Sequence, residues 1–420
     1  MNSATPSDAG WLARWRSWPL YWRILGALVI GVLLGLLLGQ RAHYFELPAK
    51  IILQLLGALA PPLILVAVMR VLITTEIAGK TALRLGRLLL LNTMVAICIG
   101  LFVANTIQPG RWSNSKPPEP KAKVESQGPS PVQIVVDNIP KSLLGPLGDK
   151  SNVIGVIIIA VAFGVALRGQ KDRPDRIVQD IVDVAYQALI TVLLWVIDLV
   201  PIGVLSIVAS VVGVKGFGPF VALGAFIVAV LLALALQACW YLLRIRYFSW
   251  CRPLAVLRGM RDSLVMAFST ASSTATMPVT YACLKDKVGI REESASLGSL
   301  VGANFNNDGT ALYEAMSALF VAQLLGLNLS FENQLLVVLT SIVASVGAAG
   351  IPEAGLVTMT LVFTAVKLPT EYIAILLTVD WFLDRCRTTI NVLGDVNVSC
   401  LLDGRVPQAA ALPEPMAGTT

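Results

Sequence analysis

Six apolar runs open the chain, near residues 19–39, 48–70, 84–108, 150–168, 180–212 and 217–245. Each is about long enough to cross a hydrocarbon core of ~30 Å as a helix, the fourth only just. After residue 250 the pattern changes. The segments 254–284 and 333–367 are apolar but interrupted by small polar clusters, FSTASSTATMP and SVGAAGIPEAG. Mid-segment Ser, Thr, Gly and Pro predict helical hairpins whose tips expose backbone, which is tolerated at depth only beside a cavity. An ordinary helix packed through small residues is the alternative for either segment alone. The run 297–321 carries VGANFNNDGTALYEAM, and its Asn306-Asn307-Asp308-Gly309-Thr310 predicts a break in the helix. Paired broken segments point to a transport site near the bilayer midplane.

The last apolar stretch, 376–402, is the most informative. Asp380, Asp384, Arg387, Asn391 and Asp395 recur at helical spacing, which at 100° per residue gathers them into one narrow polar stripe. A charge at mid-bilayer costs roughly 2.5–3.5 kcal/mol, so a line of them requires ligands, ions or opposite charges. A structural ion pair accounts for one Asp–Arg couple, but not for Asn391 and Asp395 continuing the line. An unwound stretch at Asp308 offers the hard oxygens a small cation needs, and no cation of the protein sits beside that acid in sequence.

Composition narrows the class. The chain of 420 residues is 56% hydrophobic and 14% charged, against about 25% charged in soluble domains. It reads as an all-α integral membrane protein. The net charge of +6 comes from arginines and lysines between apolar runs, which speaks for topology and not for nucleic acid. Their placement puts the N-terminus, the loops after the second, fourth and sixth runs, and the tail 403–420 on the cytoplasmic side. The Pro-, Ser- and Lys-rich stretch within 109–149 falls outside. No cleavable signal peptide is expected: Arg14, Arg16 and Arg23 precede an apolar run flanked by Trp18 and Trp22, without a small-residue cleavage site. Six cysteines without a CxxC pair and one histidine, His43, leave no zinc framework and no Ser–His couple for an intramembrane hydrolase.

Four motifs in chain order, SSTATMP, NNDGTALYEA, AAGIPEAG and DWFLDRCRTTINVLGD, resemble the glutamate transporter family of dicarboxylate and amino acid:cation symporters. The likeness covers about residues 19–402. It implies eight transmembrane helices plus two opposed re-entrant hairpins, in a homotrimer working by an elevator mechanism. Helices within 19–250 then form mainly the scaffold, with 84–108 and 217–245 joining the transport domain. The core transport domain is 251–402: hairpin 254–284, helix 294–327, hairpin 333–367 and helix 370–402. The resemblance implies a plasma (inner) membrane location and sodium-coupled uptake of acidic amino acids, L-aspartate or L-glutamate. An uncoupled anion channel, or a symporter of neutral amino acids or C4-dicarboxylates, stands as the alternative.

Motif by motif, the resemblance implies that Arg387 pairs with the substrate's side-chain carboxylate and Asp384 with its ammonium. Thr388, Asn391 and Thr310 complete the cage, closed by Ser273, Ile351 and Gly355. Sodium would be held by Asp308, Asp395, Asn306, Gly302 and Asn391, with Asn92 and Thr93 as further ligands and Ser345 and Ala348 serving a site under the second hairpin. Glu314, and Arg385 as partner of Asp384, lean toward the animal excitatory type and imply proton co-transport with potassium return. Asn307, Glu353, Asn92 and Leu89 depart from the family pattern, Leu89 standing where an aromatic is usual.

Overall fold

A computed structural model describes Trp18 and residues 20–74, 79–112, 139–140, 142–148, 153–168, 177–347 and 354–404. The described residues are overwhelmingly helical and contain no strand. The first helices are α1 (Leu20–Leu38), α2 (Glu46–Thr74), α3 (Gly79–Ile107) and α4 (Val153–Arg168). Sequence pattern predicts one span over 180–212, whereas the chain forms α5 (Ile177–Ile197) and α6 (Val200–Lys215) around a turn at Asp198 and Leu199. Pro201 fits the restart, since it lacks an N–H and is best accommodated in a helix's first turn, where that donor has no partner to lose. Asp198 turns its carboxylate to Arg23 of α1 at 3.0 Å.

The long apolar helix α7 (Gly218–Phe248) follows. Four helical stretches among the described residues are long and apolar enough to cross a membrane: Trp22–Arg70, Leu83–Trp112, Ile177–Val214 and Gly218–Phe248. Large apolar side chains such as Val29, Leu33, Leu36, Ile181 and Trp195 face outward, as suits a lipid-facing wall. α1 lies along α6. The contact is close because Gly31 and Gly35 have no side chain: an added Cβ would stand 2.8 Å from the carbonyl of Leu205 and 2.7 Å from that of Ala209. α2 packs on α4, α5 and α6.

The final third forms the interior. After the turn α8 (Pro253–Gly259), α9 (Arg261–Thr270) and α10 (Ser273–Ala282) pack on each other as the expected first hairpin. Ala271 ends α9 in the left-handed conformation, φ +52°, and Ser272 caps α10 by accepting from the Ala275 N–H at 3.1 Å. α11 (Glu292–Ser296) runs through a π-helical turn at Leu297–Val301 and a last turn at Gly302–Phe305. The helix then breaks at Asn306 and Asn307, where the sequence places the break, and restarts as α12 (Asp308–Leu324). α13 (Phe331–Gly347) and α14 (Ala354–Ala365) pack together as the second hairpin. Its tip, with Ala348, Ile351 and Glu353, lies outside the described residues. α15 (Ile373–Asp403) closes the order. Asp308 to Ala322 of α12 are buried without interruption, as is most of α15. A helix buried all round sits at the centre of its bundle, and α12 and α15 face each other there.

Candidate functional site

The polar stripe of α15 points inward, against the break before α12. Arg387 is wholly buried, 0% exposed, and carries the charge at one end. One guanidinium nitrogen is 2.9 Å from an Asp380 carboxylate oxygen and the other donates to Asp384 at 2.8 Å. Its carbon lies 4.0 Å from the centre of the Tyr313 ring, a cation–π contact from α12. Asp380 and Arg387 are seven residues apart, two helical turns, which stacks them on one face. Gly355, at the start of α14, faces the same group: an added Cβ would meet both terminal nitrogens of Arg387 at 3.4 Å and the Thr310 methyl at 3.3 Å. Thr388 is buried beside them.

One turn further, Asn391 stitches the stripe to the broken segment. Its side-chain oxygen accepts from the Gly309 N–H at 2.8 Å, and its amide reaches Asn307 and Thr310 at 3.4 Å. Asn306 returns the contact, donating to the Asn391 carbonyl and to Asp395, both at 3.0 Å. Gly302 admits this carboxylate, for a Cβ there would collide with Asp395. Gly394 has the same role opposite Asn306 and Tyr241. Asp308 accepts from Thr93 at 2.6 Å and from the Tyr241 hydroxyl. Ser345 offers its carbonyl to Asn307 at 2.9 Å, tying α13 to the break.

The structure thus brings together Arg387, Asp384, Thr310, Asn391, Asn306, Asp308, Asp395, Gly302, Thr93, Ser345 and Gly355. Ser273 lies at the first hairpin's tip, its hydroxyl donating to the Ala303 carbonyl at 3.1 Å just before the break. Glu314 is buried on α12 and accepts from Thr358 of α14. Arg385 donates to the carbonyls of Phe268 and Ser269 at 2.9 and 2.5 Å, so it ties α9 to α15. Asn92 turns its side-chain oxygen to Arg244 of α7, which donates to it. Ile351 and Ala348 fall outside the described residues.

Sequence reasoning leaves Asp308 without a protein cation nearby. Folding changes that neighbourhood, because α7 carries Tyr241, which donates to Asp308, and, three residues on, Arg244, which donates to Asn92 beside Thr93. Tyr241 and Arg244 were legible only as polar residues in an apolar run, yet Gln237, Tyr241 and Arg244 are spaced by four and three residues. That spacing is a helical stripe, and all three are buried. Tyr313 and Thr358 left no such mark.

A model of the sodium:dicarboxylate symporter family matches residues 20–405. The chain belongs to that family. Among its relatives, excitatory amino acid transporter 3 of Mus musculus is 30% identical over 456 aligned positions, covering 94% of this chain and 87% of the relative. Excitatory amino acid transporter 1 of Ambystoma tigrinum is 29% identical over 442, covering 87% and 80%. The human transporter of the same name is 38% identical over 250 positions, 58% of this chain and 45% of the relative. Membership in the sodium:dicarboxylate symporter family makes the chain a multi-pass membrane transporter with sodium coupling. It also speaks against an enzyme.

Proposed function

We propose that this symporter carries acidic amino acids, L-aspartate or L-glutamate, into the cell down a sodium gradient. The carrying observation is Arg387, fully buried between Asp380 and Asp384. A planar guanidinium grips a carboxylate through two parallel hydrogen bonds. Asp380 holds it in place, while Asp384 exchanges its contact with Arg387 for the substrate's ammonium. One cation and two acids leave a net charge of −1. The substrate's ammonium takes Asp384 and its side-chain carboxylate takes Arg387. Because the acidic amino acid is itself net negative, the bound sodium ions supply the balancing charge. A neutral amino acid would leave Arg387 poorly matched, and a plain dicarboxylate would leave Asp384 unused. Thr310, Thr388 and Asn391 complete the polar cage, with Ser273, Gly355 and Ile351 at the hairpin tips closing it.

Sodium is the co-substrate. Asp395 supplies negative charge, Asn306 and the carbonyls of Gly302 and Asn391 supply neutral oxygens, and Ser345 and Ala348 serve an ion under the second hairpin. Binding there orders the segment that carries Thr310 and contacts Asn391, so ion and substrate strengthen each other's binding reciprocally. Charge compensation then allows a transport domain, residues 251–402 with α3 and α7, to cross a trimeric scaffold in the plasma membrane as an elevator. That arrangement has eight spanning helices, two re-entrant hairpins and cytoplasmic termini. Glu314, bridging α12 to the second hairpin through Thr358, and Arg385, anchored on the first, carry proton co-transport and potassium return.

Uptake of labelled L-aspartate by proteoliposomes, with sodium, proton and potassium gradients imposed separately, tests this reading. Accumulation driven by inward sodium is the expected result. Equal uptake with and without a sodium gradient would reject it.

A further inference from the structure

Two buried carboxylates serve the cation end, and their surroundings differ. Asp395 accepts from the Asn306 amide, a neutral donor, and no protein cation pairs with it among the described residues. Asp308 accepts O–H bonds on both oxygens, from Thr93 and Tyr241, and Arg244 flanks both donors, three residues beyond Tyr241 on α7 and hydrogen-bonded to Asn92, the neighbour of Thr93. Arg244 is itself only 5% exposed. It donates to the side-chain oxygen of Asn92, whose backbone carbonyl accepts from Gln237 at 3.4 Å. Asn397 fixes the same helix from α15, donating to the Tyr241 carbonyl at 2.9 Å.

Asn92, Thr93 and Asp308 would by donor type make a corner for a small hard cation. That corner does not fit one here. Its neutral side-chain oxygen is committed to a guanidinium, and a second positive charge beside it would be repelled. A buried acid needs a counter-charge, and this one is supplied from α7.

We infer that Arg244 is a built-in counter-cation for Asp308, standing where a transported sodium ion would otherwise sit. The protein therefore couples one sodium ion fewer per substrate than its oxygen donors could hold. A fixed cation balances charge but draws no energy from the gradient, so the steepest substrate gradient is lower than with one more ion. The inference rests on the sodium-coupled reading above.

The test is the coupling ratio of wild type, Arg244→Gln and Arg244→Lys in proteoliposomes with the membrane potential clamped at zero. It is read as the L-aspartate gradient at which net flux vanishes under a fixed sodium gradient. Each further coupled ion raises that limit about tenfold for a tenfold sodium gradient. Arg244→Gln is expected to couple one ion more than wild type, and Arg244→Lys, which keeps a buried cation, the same number as wild type. An unchanged ratio in Arg244→Gln, or a raised one in Arg244→Lys, overturns the role of Arg244. Wild type without sodium-driven uptake overturns the transporter reading instead, so the two failures are distinct.

Discussion

The two ends of the α15 stripe handle buried charge in opposite ways. At Asp380, Asp384 and Arg387 the acids and their counter-ion lie on one helix, within 2.9 Å. At Asp395 the acid meets an asparagine amide and the space left by Gly302. The first end has its counter-charge built in, while among the described residues no cation of the protein pairs with Asp395. In the proposed function the first end is the carboxylate receptor and the second a cation-dependent latch, with Asn391 bonded to the broken segment between them. Desolvation makes both ends costly, and the manner of compensation decides what each can bind.

The sharpest way to break the comparison is to open the end with the built-in counter-charge. Arg387→Cys removes the cation that Asp380 and Asp384 share, and breaking a buried pair costs about 3–5 kcal/mol. L-aspartate uptake is expected to fall by roughly two orders of magnitude or more, with gain of neutral substrates. Normal aspartate accumulation by the variant would reject the assignment.

At the other end, Asp395→Asn removes charge but keeps shape. The sodium concentration for half-maximal uptake is expected to rise by roughly tenfold to a hundredfold, as ligand charge count tunes affinity for hard cations. Unchanged sodium dependence would remove Asp395 from the ion site. Gly302→Ala forces a methyl against the same carboxylate, and overpacking of this kind costs about 1–3 kcal/mol. Sodium affinity should fall roughly tenfold while binding of substrate at saturating sodium survives. A variant with wild-type sodium affinity would show that Asp395 has room to spare.

Far from both ends, Glu292 at the exposed start of α11 pairs with Lys285 at 2.9 Å and accepts from Tyr281 of α10 at 3.1 Å. The Lys285 hydrogen bond first, then that of Tyr281, holds the Glu292 carboxyl below its usual range. A depressed carboxyl contributes stability above its unfolded pKa and loses it as pH falls through the folded value. Wild type and Lys285→Ala should therefore differ slightly in melting temperature at neutral pH and converge well below about pH 4. Transport should be unaffected, in contrast to every change on the stripe.

Much of this was legible in sequence because the signals are local. The stripe from Asp380 to Asp395 follows from helical spacing, and the break at Asn306 and Asn307 from residues that compete for backbone hydrogen bonds. The turn at Asp198 was harder, since Pro201 sits in an apolar run long enough to read as one span. The partners of Asp308 were least legible. Tyr241 is 67 residues away and Arg244 64, so only packing brings them together. Asp380 stood in the stripe, but its bond to Arg387 required side-chain geometry.

Binding of L-aspartate to purified wild type and Asp395→Asn, titrated calorimetrically in sodium and in choline, tests the cation-dependent latch most directly. Binding by wild type in sodium alone, and by Asp395→Asn only at much higher sodium, is the expected result. Equal affinity in sodium and choline would contradict it.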